Sequence, residues 1–333
     1  MTVSIRDVAA CAGVSLTTVS KVLNERPGDR TAPETRLRIV QAAQELGYRP
    51  NAVAQSLRSR HTDTIGFYTG LISIDMTDPF HGAVLNGLQR GCEQHHKDLL
   101  IHRKFFGHSP EDIYRDLSNR KVDGIVLPAG CDDEIVQRLI ASSFPAVGIA
   151  TPDAALSTVY VDSPTGFHLL AAHLAERGHR RVLYRTQRQE QATEIEDTQR
   201  RLLAFQAAGA EWGIEVIVTG AGVDGAVTPE EEAILLGPAL QRPTAAACWN
   251  DLFAHRTMAF CRQHGLQVPG DLAVSGFDGF LLPYDLPYRL TTVFAPWEEC
   301  ARTAVDLVVT MTGGNAVPKE TVLPVELIHG DTA

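Results

Sequence analysis

The chain has 333 residues, 44% of them hydrophobic, and a formal net charge of −10, which allows more than one domain with an ample core and excludes a disordered or fibrous chain. The charge is unevenly divided: residues 1–60 hold nine Lys/Arg against five Asp/Glu, a formal +4, which leaves −14 on the remainder, as suits a basic head that meets phosphate on an acidic body held off it. Six scattered cysteines without a C-x-x-C pair or a His-Cys cluster exclude a zinc or disulfide framework, and Met1 leads into a polar helix with no apolar span nearby, so a cytoplasmic chain off the membrane is expected.

The first predicted element is a helix in which Ile5, Val8, Ala9 and Ala12 recur at helical spacing, with Gly13 to stop it. Ser15 then caps a second helix whose buried stripe is Val19, Val22 and Leu23. Two short helices across a tight turn form a helix-turn-helix. The second leaves Leu16, Thr17, Thr18, Ser20 and Lys21 to face a major groove, N-terminus leading. Leu16, Thr17 and Thr18 are expected to read bases, with Lys21, Asn24 and Arg6 near the DNA backbone and Ser15 and Ser20 also in the DNA-binding set. An ordinary helical hairpin is the competing reading of this segment alone.

A third amphipathic helix follows from Pro33 to Leu46, with Leu37, Val40, Ala43 and Leu46 inward, and then Gly47-Tyr48-Arg49-Pro50-Asn51-Ala52-Val53-Ala54-Gln55-Ser56-Leu57. A helix-turn-helix paired with Gly-Tyr-x-Pro-Asn-x-x-Ala-x-x-Leu at this distance resembles the lactose repressor/galactose repressor (LacI/GalR) family of bacterial transcriptional regulators. The resemblance runs through essentially the whole chain. It implies a DNA-binding head over 1–50, a hinge helix over 51–60 that lays Asn51, Ala54, Gln55 and Leu57 in the minor groove, and an effector-binding, dimerising core over 61–333.

From Thr64 onward short apolar runs alternate with helical patterns, at 65–68, 124–127, 146–149, 181–184, 215–218, 245–248 and 272–275. Such runs are parallel strands buried on both faces, and some 270 residues of alternation is long for one doubly wound sheet. The fold class is therefore α/β. The resemblance implies a periplasmic-binding-protein-like core of two lobes, lobe N about 61–160 and 292–322 and lobe C about 163–287 and 325–330. Its three crossings are expected near Tyr160–Ser163, Pro287–Thr292 and Val322–Val325. Ligands of such folds sit at the carboxyl ends of strands, between the lobes.

Five stretches look like the family's cleft. Asp75-Met76-Thr77-Asp78-Pro79-Phe80-His81 resembles Asp-x-Ser-Asn-Pro-Phe-Phe, and Arg201-Leu202-Leu203-Ala204-Phe205 resembles Arg-x-x-Gly-Phe. Trp249-Asn250-Asp251 and Gly276-Phe277-Asp278-Gly279 resemble Ala-Asn-Asp and Gly-Phe-Asp-Asp, and Leu290 to Trp297 matches a segment that often ends on an aromatic residue. The resemblance thus implies an effector site of Asp78, Phe80, His81, Arg201, Asn250, Asp278 and Trp297. Carboxylate and amide groups take vicinal hydroxyls in pairs while aromatic faces cover C–H patches, so a sugar or sugar phosphate is the expected effector. A purine or nucleoside is the alternative.

Bland readings stand beside each residue: Asp78 as a helix cap, Arg201 as a solvated helix residue, Asp278 as a turn residue beside Gly279, Trp297 as plain core. Departures from the family pattern, namely Asp78, His81, Ala150, Ala204 and Gly279, gather round the pocket and leave effector identity open. No phosphate loop, nucleophile elbow, H-E-x-x-H or G-x-G-x-x-G motif is present, so no enzyme, cofactor or metal is expected. A sugar-binding or sugar-modifying protein of the same core fold is the remote alternative. The expectation is a repressor that binds a palindromic double-stranded operator as a homodimer, under control of a small molecule.

Overall fold

A computed structural model describes residues 3–23, 30–49, 61–70, 74–75, 78–103, 107–128, 133–187, 195–280 and 287–333. The chain forms two compact units, Met1–Thr62 and Asp63–Ala333.

The first unit holds helices α1 (Ile5–Ala12), α2 (Leu16–Leu23) and α3 (Pro33–Glu45). Ser4 and Asp7 close a capping box at the start of α1, and Gly13 ends it at φ 63°, a left-handed conformation that glycine adopts without steric cost. Ser15 starts α2 by accepting the Thr18 amide at 3.1 Å. Val8, Ala9, Ala12, Val19, Val22, Ile39, Ala42 and Ala43 form the core. This corrects the expected inner face of α3: Leu37 and Val40 are exposed, and the buried stripe runs through Ile39, Ala42 and Ala43. The alanines are small enough to let α1 and α2 close on α3, which turns the larger Leu37 and Val40 outward.

The second unit contains two six-stranded sheets. One, in lobe N, is ordered β11-β5-β4-β3-β1-β2, and the other, in lobe C, β12-β10-β9-β8-β6-β7. Strands β1 (Thr64–Tyr68), β2 (Asp98–His102), β3 (Gly124–Pro128), β4 (Ala146–Ile149) and β5 (Ser157–Val161) alternate with α4 (Pro79–Gln94), α5 (Pro110–Ser118) and α6 (Asp133–Ala141). Lobe C is built from α7 (Ser163–Glu176), β6 (Arg181–Gln187), α8 (Ile195–Glu211), β7 (Glu215–Ala221), α9 (Pro229–Leu235), β8 (Ala245–Cys248), α10 (Asp251–Gln263), β9 (Ala273–Asp278) and β10 (Thr291–Phe294). Then α11 (Trp297–Thr312) and β11 (Glu320–Leu323) return to lobe N, and β12 (Glu326–Ile328) ends in lobe C. All pairings are parallel except β10 with β12.

The chain changes lobe after β5 at Asp162, after β10 at Ala295–Pro296, and after β11 at Pro324–Val325. The second crossing differs from the expected Pro287–Thr292. Thr291 to Val293 are buried between β9 and β12, and Thr292 donates its hydroxyl to Asp251 at 2.5 Å, so the chain stays in lobe C until Pro296 starts α11. The glycine-rich Thr219–Gly225 completes β7 through Ala221 and turns over Val223–Gly225.

Lobe C has a charged core of its own. Arg185 and Glu231 are both fully buried, and the guanidinium donates to both carboxylate oxygens at 2.8 and 2.9 Å and to Thr257 and three carbonyls. Glu231 also accepts the Thr219 hydroxyl and the Thr228 amide, so each atom of the pair is satisfied. In lobe N, α4 and α11 touch backbone to side chain at Gly87 and Gly91. A Cβ at Gly87 would run into the Glu298 carbonyl, and one at Gly91 would stand 2.8 Å from the Val305 Cβ.

That helix contact gives a first prediction. Gly87→Ala should lower unfolding stability by about 1 to 3 kcal/mol, because the added methyl forces backbone apart in a packed interface. Urea unfolding at equilibrium measures it, and an unchanged midpoint would mean that α4 and α11 are not in close contact.

Candidate functional site

Arg201 lies on α8, and its side chain is buried, with the residue only 3% exposed. One turn earlier Asp197, equally buried, sets its carboxylate 2.7 Å from the Arg201 Nε. The Arg201 Nη1 donates to the Trp249 carbonyl at 3.1 Å and stands 3.7 Å from Asp278. Aromatic faces enclose the rest: the guanidinium carbon lies 4.5, 5.1 and 5.7 Å from the ring centres of Phe277, Trp249 and Trp297. Ring faces carry negative quadrupole density, so they hold a cation where water cannot reach it.

Asp278 ends β9, and its carboxylate accepts the Trp297 indole N–H at 3.0 Å. Burial pushes its carboxyl up to about 8 against the opposing pull of Arg201, and the nearby Asp251 charge pushes the same way. Its backbone sits at φ 109°, which an L-residue holds only when its surroundings fix it. Asp251 supplies that restraint by accepting the Phe280 amide at 2.9 Å and the Thr292 hydroxyl, and burial raises its own carboxyl to about 7. Gly279 follows at φ 72°, where a Cβ would meet the Phe294 Cα at 2.7 Å, so the second Asp of the family pattern has no room here.

Trp297 begins α11 in lobe N and packs edge-on against Phe80 of α4, ring centres 5.1 Å apart. Phe80 and His81 border a cavity of about 30 Å³ lined also by Phe67, Thr69, Ile74, Val84, Pro128, Ile149 and Ala150, space for about one water. His81 accepts the Asp75 amide on its Nδ1 at 3.2 Å. Where the lobes meet at Trp297, lobe C therefore presents polar groups and lobe N aliphatic and aromatic ones.

Arg201, Asp278, Trp297 and Phe80 converge, and His81 joins them at the rim of the cavity. Asp78 and Asn250 each commit a side-chain oxygen to a helix cap, and the other Asp78 oxygen lies 3.7 Å from the His81 Nδ1. Asp78 caps α4 by accepting the Phe80 amide, and Asn250 caps α10 by accepting the Phe253 amide at 3.0 Å. Four further residues belong to the cluster: Asp197, Trp249, Asp251 and Phe277. Asp197 had a signal in the sequence, a carboxylate four residues before an arginine on one helix.

On the head, Leu16, Thr17 and Lys21 of α2 are exposed, as are Ser15 and Arg6, while Ser20 is half-buried. The Thr18 hydroxyl is shared with Ser15 at 2.8 Å, which ties it to the helix start. Asn24, Asn51, Ala54, Gln55 and Leu57 lie outside the described residues. Among the described residues no helix is long and apolar enough to cross a membrane, and no cluster of His, Cys, Asp or Glu could hold a metal ion.

Comparison with known proteins matches residues 4–51 to the family described as bacterial regulatory proteins, lacI family, and residues 171–333 to the periplasmic binding protein-like domain. The HTH-type transcriptional repressor PurR of Photobacterium profundum is 31% identical over 315 residues, 91% of this chain and 90% of that protein. This chain belongs to the lacI family of bacterial regulatory proteins. The HTH-type transcriptional regulator GalR of Escherichia coli is 29% identical over 325 residues, 96% of this chain and 92% of that protein. A solved lac repressor dimer bound to operator and an anti-inducer superposes with a TM-score of 0.82 at 22% identity, over 100% of this chain and 99% of that one. The transcriptional regulator CelR in complex with cellobiose superposes at 0.67 and 24% identity, over 99% and 100% of the two chains. As a lacI-family member the chain is a DNA-binding transcription regulator, and its relatives are regulators rather than enzymes.

The raised carboxyl of Asp278 has a sign that can be checked. Between the unfolded value near 3.8 and the folded value of about 8 the native state holds a proton that the unfolded chain has released. Raising pH through that window therefore draws the chain toward unfolding. Asp278→Asn cannot release that proton, so its melting temperature should gain on wild type as pH rises from about 5 to about 8. A constant difference across the window would place Asp278 in its charged form.

Proposed function

We propose that this lacI-family member is a dimeric repressor whose operator affinity is set by a small carbohydrate bound between the two lobes. The observation that carries this reading is the pairing of walls. Arg201, Asp278 and the buried Trp249 indole N–H, which has no partner among the described residues, offer hydrogen bonds from one side. Trp297, Phe80 and the apolar lining of the cavity offer surface from the other. A pyranose ring has the same division, with hydroxyls at its rim and C–H groups on its faces. The related fold of a regulator solved with cellobiose supports the carbohydrate reading; relatives named GalR and PurR occur at similar identity, so their names do not choose an effector.

On the head, Leu16 and Thr17 are the proposed base readers, with Lys21 and Arg6 on phosphate and Thr18 setting the start of the reading helix. The residues proposed for the minor groove, Asn51, Ala54, Gln55 and the wedge Leu57, rest on the sequence alone. A module this small reads a half-site, and two copies related by a two-fold axis would read a palindrome. The regulator would act on DNA in the cytoplasm.

The test is an operator selected from random duplexes by the protein, followed by titration of sugars and purine bases into the labelled complex. A saccharide is expected to change operator affinity. Arg201→Ala and Asp278→Ala should bind operator as wild type does while losing at least about fivefold in effector affinity, since removing one partner of a buried hydrogen bond costs about 1 to 3 kcal/mol. Lys21→Ala should weaken all duplexes together and reduce the salt dependence by about one counterion. A response to hypoxanthine or guanine with none to any sugar would overturn the carbohydrate reading, and a wild-type response in both cleft variants would overturn the placement of the site.

A further inference from the structure

We propose that Asp197 makes this cleft selective for an uncharged effector, by occupying the arginines that would otherwise take an anion. The inference rests on the cleft being the effector site, and it narrows the carbohydrate class to neutral sugars.

An arginine at the heart of a binding cleft is ordinarily the natural partner of a phosphate or carboxylate, because its planar fork matches two oxygens at once. Here that fork is engaged from within the protein. The Asp197 Oδ2 lies 2.7 Å from the Arg201 Nε, and its Oδ1 accepts the Arg200 Nη2 at 2.9 Å. One buried carboxylate thus bridges two consecutive arginines with its two oxygens. Arg200 is turned away toward the first crossing, where it stacks 5.5 Å from the Tyr160 ring centre and reaches the Ser163 hydroxyl at 3.4 Å. The Tyr160 hydroxyl in turn donates to Glu320 at 2.9 Å. Asp162, which caps α7, lies close enough to Tyr160 to act on its phenol.

Arg201 therefore stands between two carboxyl groups, Asp197 and Asp278, and shares the first with Arg200. Asp197 and Asp278 are almost wholly buried, and Asp278 stands 3.7 Å from the same guanidinium. A phosphate ester placed beside Arg201 would bring up to two negative charges into a dry site next to a carboxylate already paired there. Loss of hydration would not be recovered from an arginine whose charge is already compensated. Neutral hydroxyls meet no such penalty: they donate to Asp278 and Asp197 and accept from the Trp249 indole N–H. Asp197 acts through the arginines and is a positioning residue that sets specificity.

The primary probe is inorganic phosphate, titrated at constant ionic strength near neutral pH and read by the fluorescence of Trp249 and Trp297, which flank Arg201. The wild-type chain is expected to give no saturable response, whereas Asp197→Asn, near-isosteric but without the charge, should bind phosphate at least about tenfold better. Adding Arg201→Ala to that variant should abolish the gain, an outcome that a merely structural role for Asp197 would not produce. Saturable uptake by wild type that Arg201→Ala removes, or an Asp197→Asn protein that folds and binds no better, overturns the proposal. If Asp197→Asn fails to fold, the wild-type arm still decides, together with release of operator by galactose and glucose against their 6-phosphates. Neutral sugars should act at concentrations at least about tenfold below any phosphate ester, and a phosphate ester that acts at the lower concentration overturns the proposal. A response confined to neutral purine bases would instead overturn the carbohydrate reading and leave the selection against charge standing.

Discussion

A guanidinium taken out of water must be compensated in full, and the cleft of this regulator is organised round that requirement at Arg201. Three aromatic rings exclude solvent from it, Asp197 supplies the opposite charge at 2.7 Å, and the Trp249 carbonyl takes a further N–H. Each partner comes from a different element: α8 gives Asp197, β9 gives Phe277 and Asp278, the end of β8 gives Trp249, and α11 gives Trp297. The cation is thereby the point at which both lobes meet. Asp251 extends the same order outward, since its carboxyl fixes the Phe280 amide and Thr292 and so holds Asp278 in a backbone conformation it would not choose alone. Lobe C repeats the principle on the other face of its sheet with Arg185 and Glu231, where removing one partner would strand the other at a cost of about 3 to 5 kcal/mol.

Much of this architecture was legible in the residues, for definite physical reasons. Strands such as 124–127 and 245–248 are buried on both faces and so read as continuous apolar runs. β2 escaped, because it is an edge strand with Asp98 and Ile101 exposed, and β5 begins on Ser157-Thr158 where the apolar run breaks. The crossing at Ala295–Pro296 was misplaced because Thr291 and Thr292 look like linker residues. Their hydroxyls are buried on partners, Thr292 on Asp251 and Thr291 on the Ala333 carbonyl, that lie far off in sequence. On α3 the spacing of Leu37 and Val40 fits a helical stripe as well as that of Ile39 and Ala42 does, and only the close approach of α1 and α2 selects between them.

The site divides along the same line. Arg201, Asp278 and Trp297, which the structure brings together, each sit in a recognisable stretch: Asp278 at a strand end, Trp297 at a helix start and Arg201 within α8. Asp78 and Asn250 sit in equally recognisable stretches, yet the Oδ1 of each serves as a helix cap. A capping Asp and a ligand-binding Asp have the same local signature, a short acceptor before a helix, and the difference lies in which way the oxygen points. Asp197 lay in plain view at the spacing of an ordinary surface ion pair. What distinguishes it is burial, which no pattern within α8 predicts.

The described arrangement also bounds how an effector could act. Trp297 belongs to lobe N and donates directly to Asp278 of lobe C, so a hydrogen bond within the protein links the lobes. A molecule held by one lobe alone would bind open and closed arrangements equally and shift neither, however tightly it bound. Moving a two-state equilibrium from one extreme to the other takes about 5.5 kcal/mol of differential affinity. A single hydrogen bond to a charged group contributes about 1.5 to 3 kcal/mol, so no one contact suffices. At the proposed site an effector would have to draw on Asp278 and the Arg201 cluster from one side and on Trp297 and Phe80 from the other. Because the indole–carboxylate bond already joins those walls, a hydroxyl that takes Asp278 from Trp297 changes the link between lobes as it binds.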